Sequence, residues 1–403
     1  MADLYKFKNE SENKKNVLRT IYREEKISRN DLIEKTGLSP ASVINFVSDF
    51  IAEGIVEEHG ELESTGGRRP MLLRVYPDYA YIVGVDVGTY SAKIGIVNIN
   101  GKIIEKEVVP VDDRHIPTKG LSPDELCARL EVLLGKHDRE KLLGIGVGIS
   151  GMVDFSEGWV IFCPKISGWN DVPVVSLLWE KFKVPVCLDT SARCMALAEQ
   201  WFGAGRGIKD QVMALIGYGS IGAGIIIDSR IYRGADGFAG ELGHIQVGDS
   251  DIRCTCGNYD CLELYATLPL IIKRIREKAE RYTGYSPLKA MVASAGDIDR
   301  DVVVKALEAG DKIAGEIIVQ TGRLIGLTLA NVANLFNPRL LILGGGVIET
   351  FPVIVEEAAR IVKERSLITV QQKLKVEKAA LGWDGAVKGS AVLVLDEFLG
   401  GLY

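Results

Sequence analysis

Long hydrophobic runs are missing from this sequence of 403 residues. No apolar stretch reaches the 18 or so residues that span a bilayer. The opening segment, Met1 to Asn9, is charged and has no apolar portion of the kind a secretory signal requires. Membrane insertion and export are therefore not expected, and the expected location is the cytoplasm. Histidine is scarce, with 4 in the chain, so one that stands beside other ligand-type residues carries weight. Excess positive charge is absent too: 48 basic against 54 acidic residues give −6. That balance argues against a protein whose whole surface grips nucleic acid, while leaving room for a small DNA-binding module. Aromatic residues are few at 7%, yet 47% hydrophobic and 25% charged residues exclude extended disorder. At about 100 to 200 residues per domain, the length predicts two or three domains. Seven cysteines suit a reducing compartment, where clustered thiols are more often metal ligands than disulfides.

Residues 14 to 58 read as short helices. Val17, Leu18, Ile21 and Tyr22 recur at helical intervals, Ser28 opens a second helix and Gly37 stops it. Ser39-Pro40 starts a third, since serine caps free amides and proline is tolerated at the first helical position. Two strand-like runs, Ile55 to Glu58 and Leu72 to Val75, flank the glycine-rich segment Glu63 to Pro70. Three helices followed by a hairpin make a winged helix-turn-helix. Residues 1 to 74 hold 12 basic and 13 acidic side chains, so any DNA grip depends on where the charges sit.

From Tyr81 the texture changes. Tyr81 to Val97 reads strand, glycine turn at an acidic residue, strand, and Val212 to Ile227 repeats that design. Duplication of this kind predicts two similar α/β lobes with a ligand between them. Helices are expected at Pro123 to Leu134, Ser191 to Phe202, Leu268 to Tyr282 and Ala314 to Leu335, and a further strand-glycine unit at Leu340 to Val347. The domain plan is a winged helix over 1–75, a first lobe over 80–192 and a second over 193–403, with the C-terminal helix free to return to the first lobe.

The most specific constellation is Gly240-Glu-Leu-Gly-His244 followed by Cys254-Thr-Cys256-Gly and Cys261-Leu-Glu263. His244, Cys254, Cys256 and Cys261 supply four ligands, enough to close a tetrahedral structural zinc site. Buried, unligated cysteines are the plainer alternative. With Ala235 to Glu241 ahead of it, this run closely resembles the ROK family (repressors, open reading frames and sugar kinases), and the helix-turn-helix with Gly66-Gly-Arg-Arg-Pro70 resembles the repressor branch. One departure is Asp260, where the family usually has glycine. The resemblance implies an actin-like, two-lobed sugar-kinase fold binding a sugar in the cleft. It places Glu241, His244 and Glu263 on sugar hydroxyls, with Ser167 to Asn170 as the loop beside the sugar site, Asn170 and Ser191 as further sugar contacts, and Trp169 either there or packed inside.

Phosphoryl transfer needs a carboxylate at the acceptor hydroxyl and preorganised donors for the phosphates. By position, the family's catalytic aspartate falls on Ser191, a poor proton acceptor. Asp189 serves only if the chain shifts, so it is the catalytic candidate of the kinase alternative alone. The phosphate turns are eroded too: Thr89 follows Gly88 where the family has a second glycine, and Ser220-Ile221 interrupts the second lobe's Gly-x-Gly. Sugar sensing is thus expected over catalysis, with an ATP-dependent sugar kinase as the alternative. At the DNA end, Ser39, Pro40, Ala41, Ser42 and Asn45 would meet the major groove, and Arg68 and Arg69 of the wing a narrow minor groove. The expected protein is a sugar-responsive repressor binding double-stranded operator DNA as a homodimer or homotetramer, with a mono- or small oligosaccharide as effector.

Overall fold

The computed structural model describes residues 10–61, 71–111 and 119–401. Its N-terminal helices are α1 (Glu12–Glu24), α2 (Arg29–Thr36) and α3 (Pro40–Ala52), joined by strands β1 (Ile27–Ser28), β2 (Val56–Glu61) and β3 (Met71–Val75). The punctuation read from sequence works as expected. Ser28 and Asp31 form a reciprocal capping box, Gly37 closes α2 in the left-handed conformation, and Ser39 caps α3 with Pro40 at its first turn; each such cap contributes about 1 kcal/mol. Val17, Leu18 and Ile21 of α1 pack with Leu32, Val43, Val47, Phe50 and Leu73 in one core. The two-residue β1, not foreseen, pairs Ile27 with Leu73 and completes a three-stranded sheet. Arg68 and Arg69 lie outside the described residues.

Beyond it, the two lobes repeat one sheet. The first runs β4 (Tyr81–Val87), β5 (Ser91–Asn98), β6 (Ile103–Pro110), helix α4 (Pro123–Leu134), β7 (Leu142–Ile149), the hairpin β8 (Met152–Asp154) and β9 (Trp159–Phe162), α5 (Val174–Phe182) and β10 (Val186–Thr190). Its strand order is β10-β7-β4-β5-β6. After α6 (Ser191–Phe202) the second lobe runs β11 (Gln211–Ile216), β12 (Ile221–Ile227) and β13 (Arg230–Tyr232). Its helical half follows: α7 (Glu263–Ala266), α8 (Leu268–Arg281), α9 (Pro287–Ala295), α10 (Arg300–Glu308) and α11 (Lys312–Phe336). It closes with β14 (Leu340–Gly344), α12 (Gly346–Thr350), α13 (Val353–Arg365), α14 (Ile368–Gln371), β15 (Lys375–Lys378) and α15 (Gly385–Phe398). The order here is β13-β12-β11-β14-β15. In both sheets the first three strands are antiparallel and the later two join in parallel, so the duplication seen as strand-glycine-strand extends to five strands.

The final helix of each lobe packs on the other. α6 follows the last strand of the first sheet and lies on β11 and β12, while α15 follows the last strand of the second and lies on β4 and β7. The two helices pack closely because glycine stands where they meet: a methyl group at Gly389 would collide with the Cys194 carbonyl, and in the sheet beneath, one at Gly146 of β7 would collide with the Ser390 carbonyl of α15. The C-terminal helix therefore returns to the first lobe, and the expected boundary at 192/193 falls at the head of the shared helix α6. Helix α11 has the length and apolar composition to cross a membrane, which the reading by uninterrupted runs passed over. Its apolar residues Ile313, Ile317, Ile318, Ile325, Leu329 and Val332 are buried in the second lobe's core.

Candidate sugar cleft, metal centre and DNA-facing helix

Between the lobes lies a cavity of about 370 Å³ lined by Ser150, Met152, Phe162 and Lys165 of the first lobe, Thr190 and Ser191 at the head of α6, and Glu241, His244 and Glu263 of the second. That volume suits a small ligand. Glu263 is buried at the start of α7; its Oε2 accepts from the Ile221 N–H at 3.1 Å and its Oε1 takes the Lys165 ammonium. Glu241 stands at the rim with Oε2 3.8 Å from His244 Nε2. Burial raises its carboxyl above the usual range, opposed by His244 and Arg193. Two ionisable carboxylates, an imidazole and several hydroxyls can read paired sugar hydroxyls.

Two expected contacts are differently employed. Asn170 does not line this cavity: its side-chain oxygen accepts from the Cys163 N–H at 2.6 Å and closes the loop on itself. Trp169 resolves as a packing residue, fully buried with its Nε1–H donating to the Leu121 carbonyl at 2.7 Å. Ser191 lines the cavity, but its hydroxyl donates to Asp86 Oδ1 at 2.7 Å. Asp189, the kinase candidate, is fully buried. Arg193 Nε lies 2.6 Å from its Oδ1 and Arg233 Nη2 2.9 Å from its Oδ2, so both oxygens are engaged by guanidinium groups and neither lines the cavity.

The other end of the cleft, where the resemblance places the kinases' phosphates, is narrow. Around Asp86, Gly88, Ser220 and Gly345 only about 90 Å³ remains. Thr89 packs against Gly219. The Tyr90 ring meets Tyr218 at 5.4 Å, Tyr218 meets Trp383 at 5.8 Å, and the Lys93 ammonium lies 5.5 Å from the Trp383 ring. The threonine that displaced a glycine is thus part of an aromatic plug joining the two lobes. Asp86 is buried under it; burial raises its carboxyl above the usual range, with Lys93 and the Ser191 hydroxyl opposing.

At the cavity's outer wall the four expected metal ligands converge, their donor atoms all within 4.8 Å of one another. His244 Nδ1 lies 3.7 Å from Cys254 Sγ, and Cys256 Sγ 3.7 Å from Cys261 Sγ. A tetrahedral zinc with bonds of about 2.3 Å sets its sulfurs about 3.8 Å apart, whereas a disulfide would join them at about 2.05 Å. The spacing and the donor set fit zinc. Burial and its two sulfur neighbours push the Cys261 thiol up to about 12, so taking up a cation would release protons. With Nδ1 turned to the cluster, Nε2 of His244 is left facing Glu241, the orientation a metal-bound imidazole needs to address the cleft. Asp260, in place of the family's glycine, keeps the glycine-like backbone with φ +51°. Its carboxylate accepts from the Asp251 N–H at 2.8 Å and the Tyr265 hydroxyl at 2.6 Å, which holds the metal loop.

On the DNA side, α3 buries Val43, Val47 and Phe50 and exposes Ala41, Ile44, Asn45 and Ser48. Ser39 Oγ accepts from the Ser42 N–H at 3.2 Å and lies 2.9 Å from Ser42 Oγ. One of the two hydroxyl hydrogens closes that pair, leaving one to donate outward. Pro40 is exposed beside them. Sequence reasoning missed Ile44, an apolar side chain of α3 that is 49% exposed, and Lys165, a single lysine in a loop without a spacing signal.

A winged helix fused to a duplicated, kinase-like lobe pair defines the class: a one-chain regulator built on a sugar-kinase fold. The comparisons agree. Residues 82–397 match the ROK family and residues 10–57 match winged helix-turn-helix DNA-binding domains; the chain belongs to the ROK family. It is 32% identical over 398 residues to the xylose repressor of Caldicellulosiruptor bescii, covering 96% of each chain. It is 30% identical over 391 residues to the DNA-binding transcriptional dual regulator NagC of Escherichia coli, covering 96% of this chain and 93% of that one. Among solved structures, a ROK family transcriptional regulator homologous to the E. coli MLC protein superposes with a TM-score of 0.79 at 26% identity, covering 99% and 98%. A ROK family glucokinase from Streptomyces griseus, in complex with glucose and AMPPNP, superposes with 0.68 at 26%, covering 78% and 99%.

Proposed function

We propose that this protein is a sugar-responsive transcriptional repressor of carbohydrate-utilisation genes. The winged helix binds operator DNA, and a mono- or small oligosaccharide in the interlobe cleft changes its affinity. The observation that carries this reading is the contrast within one cleft: the sugar end holds a cavity of about 370 Å³, while the end where the family's kinases bind phosphates is reduced to about 90 Å³ between Thr89, Tyr90, Tyr218 and Trp383. The small space beside those rings disfavours a nucleoside triphosphate, and Ser191 supplies no base at the acceptor position. Relatives named xylose repressor and N-acetylglucosamine repressor make those two sugars the first to test. His244, Cys254, Cys256 and Cys261 hold a structural zinc that fixes Glu241 and Glu263 at the cleft wall. A homodimer or homotetramer reads a two-fold operator, as paired recognition helices require. The protein works in the cytoplasm.

Effector control requires the sugar to favour one lobe arrangement over another, since equal binding to both shifts nothing. Fluorescence anisotropy with duplex from the protein's own promoter region tests the reading. Binding is expected to be sequence-specific, weakened by salt and shifted by the correct sugar. Absence of sequence-specific binding at micromolar protein, or sugar-dependent release of ADP from ATP at enzymatic rates, overturns it.

A further inference from the structure

Lys165 belongs to the first lobe and ends in the second. Its loop is fastened by Cys163, Ile166 and Trp169, all buried in the first lobe's core. Its ammonium donates to the Gly219 carbonyl at 2.8 Å and pairs with Glu263 Oε1. Both partners are fixed in the second lobe. Glu263 stands among Leu262 and Ala266 of that core and is itself only 6% exposed, and its other oxygen is held by the Ile221 N–H. Because each end is anchored, this ion pair resists any separation of the lobes across the sugar end of the cleft.

The pair also occupies a carboxylate oxygen that a sugar would use. Glu263 Oε2 already accepts from the Ile221 N–H, and the Lys165 ammonium sits on Oε1, the oxygen without a backbone partner. We propose that Lys165 is an interlobe latch and the direct competitor of the effector. A polyhydroxylated ligand competes with the ammonium for Glu263 Oε1, and displacement of the ammonium unties the first lobe from the Gly219 turn. Displacement is feasible because the lysine side chain is 20% exposed and its ammonium can move to water, whereas Glu263 cannot. A desolvated carboxylate left without a partner is costly, so the lysine leaves only as ligand hydroxyls take its place. The proposal rests on the sugar-cleft reading above for its ligand, but its mechanical half does not.

The test uses the full-length protein with Lys165→Met, which removes the charge, Lys165→Gln, which keeps a donor for Gly219, and Lys165→Arg, which keeps the charge. Amide exchange without sugar is followed at the 163–169 loop and at Gly219 to Ile221. Calorimetry with xylose, glucose and N-acetylglucosamine gives affinities. Expected results are exchange at least tenfold faster in the Met and Gln variants and near wild type in the Arg variant, with any sugar that binds the wild type binding the Met variant at least threefold more tightly. Unchanged exchange in both the Met and the Gln variants overturns the latch. Loss of sugar binding in these variants overturns the competition, making Lys165 a sugar contact. Faster exchange with no panel sugar bound by any protein upholds the latch and counts against the sugar reading alone. Should the Met variant fail to fold, the Gln variant decides by the same criteria.

Discussion

Replacing Asp189 by alanine separates a structural carboxylate from a catalytic one. The side chain is 0% exposed and its two oxygens bind Arg193, 3% exposed, and Arg233, 26% exposed. Arg193 also donates to the Gly237 carbonyl at 2.8 Å, so the cluster ties the end of β10 and the head of α6 to the loop that leads into the metal site. Deleting one member of a buried pair costs about 3–5 kcal/mol because the remaining charge is stranded. Arg233 can regain water and Arg193 cannot, which places the expected loss near the lower end, about 3 kcal/mol. At about 1.5 °C per kcal/mol for a body of roughly 325 residues, the melting temperature should fall by about 4–5 °C, and Asp189→Asn, which keeps the shape but not the charge, should fall by less. Scanning calorimetry of the full-length protein measures it, with ADP release assayed in parallel. A change within about 2 °C for Asp189→Ala would refute the stranded-charge reasoning; loss of a sugar-dependent ADP signal at unchanged stability would restore Asp189 to catalysis.

Three further outcomes are expected. Cys261→Ala should lose about one equivalent of zinc per chain by metal analysis and lower the melting temperature, since binding energy at a structural site is folding energy; unchanged stoichiometry would falsify the ligand set. Asp86→Asn should raise the melting temperature at pH 7. Its native carboxyl lies above the ordinary 3.8, so the ionised form is the one folding disfavours: the wild type is relieved of that cost below the ordinary value and bears it fully once pH passes the raised one, and the advantage of the variant should shrink on titration toward pH 4. Asn45→Ala on the exposed face of α3 should weaken specific operator binding by about 10-fold or more, as loss of a bidentate base contact does, with the salt slope of anisotropy titrations unchanged because no phosphate contact is lost.

What was legible in the sequence followed local chemistry. Pro123–Leu134 and Ser191–Phe202 match their expected ends because Ser122 and Thr190 cap them and Gly135 and Gly203 end them. The metal cluster was legible because its four ligands lie within eighteen residues. What escaped depends on contacts between distant segments. β1 is two residues long and exists only by pairing with β3. The glycine losses at the two turns were visible, but not what narrows the space: Tyr218 reaches Tyr90 from the other lobe, backed by Trp383. Nor does the apolar face of α15 say which sheet it will choose. Asn170 was assigned by position to the sugar, while the nearer demand of the Cys163 N–H took its oxygen.

The crossed helices have a consequence for building chimaeras. Both end beneath α1: Trp201 near the end of α6 meets Tyr22 at 5.6 Å, and just past α15 the Leu399 carbonyl accepts from Arg19 Nε at 2.7 Å. Val17, Leu18, Trp201, Phe398 and Leu399 belong to one continuous core, and Tyr22 donates to the Ile99 carbonyl at 2.7 Å. A splice that swaps the operator-reading module near residue 76 would cut the covalent chain at a convenient turn yet leave half of that core behind. Transplants among such regulators should therefore carry the tail of α15 and the end of α6 along with α1, or redesign the seam on both sides.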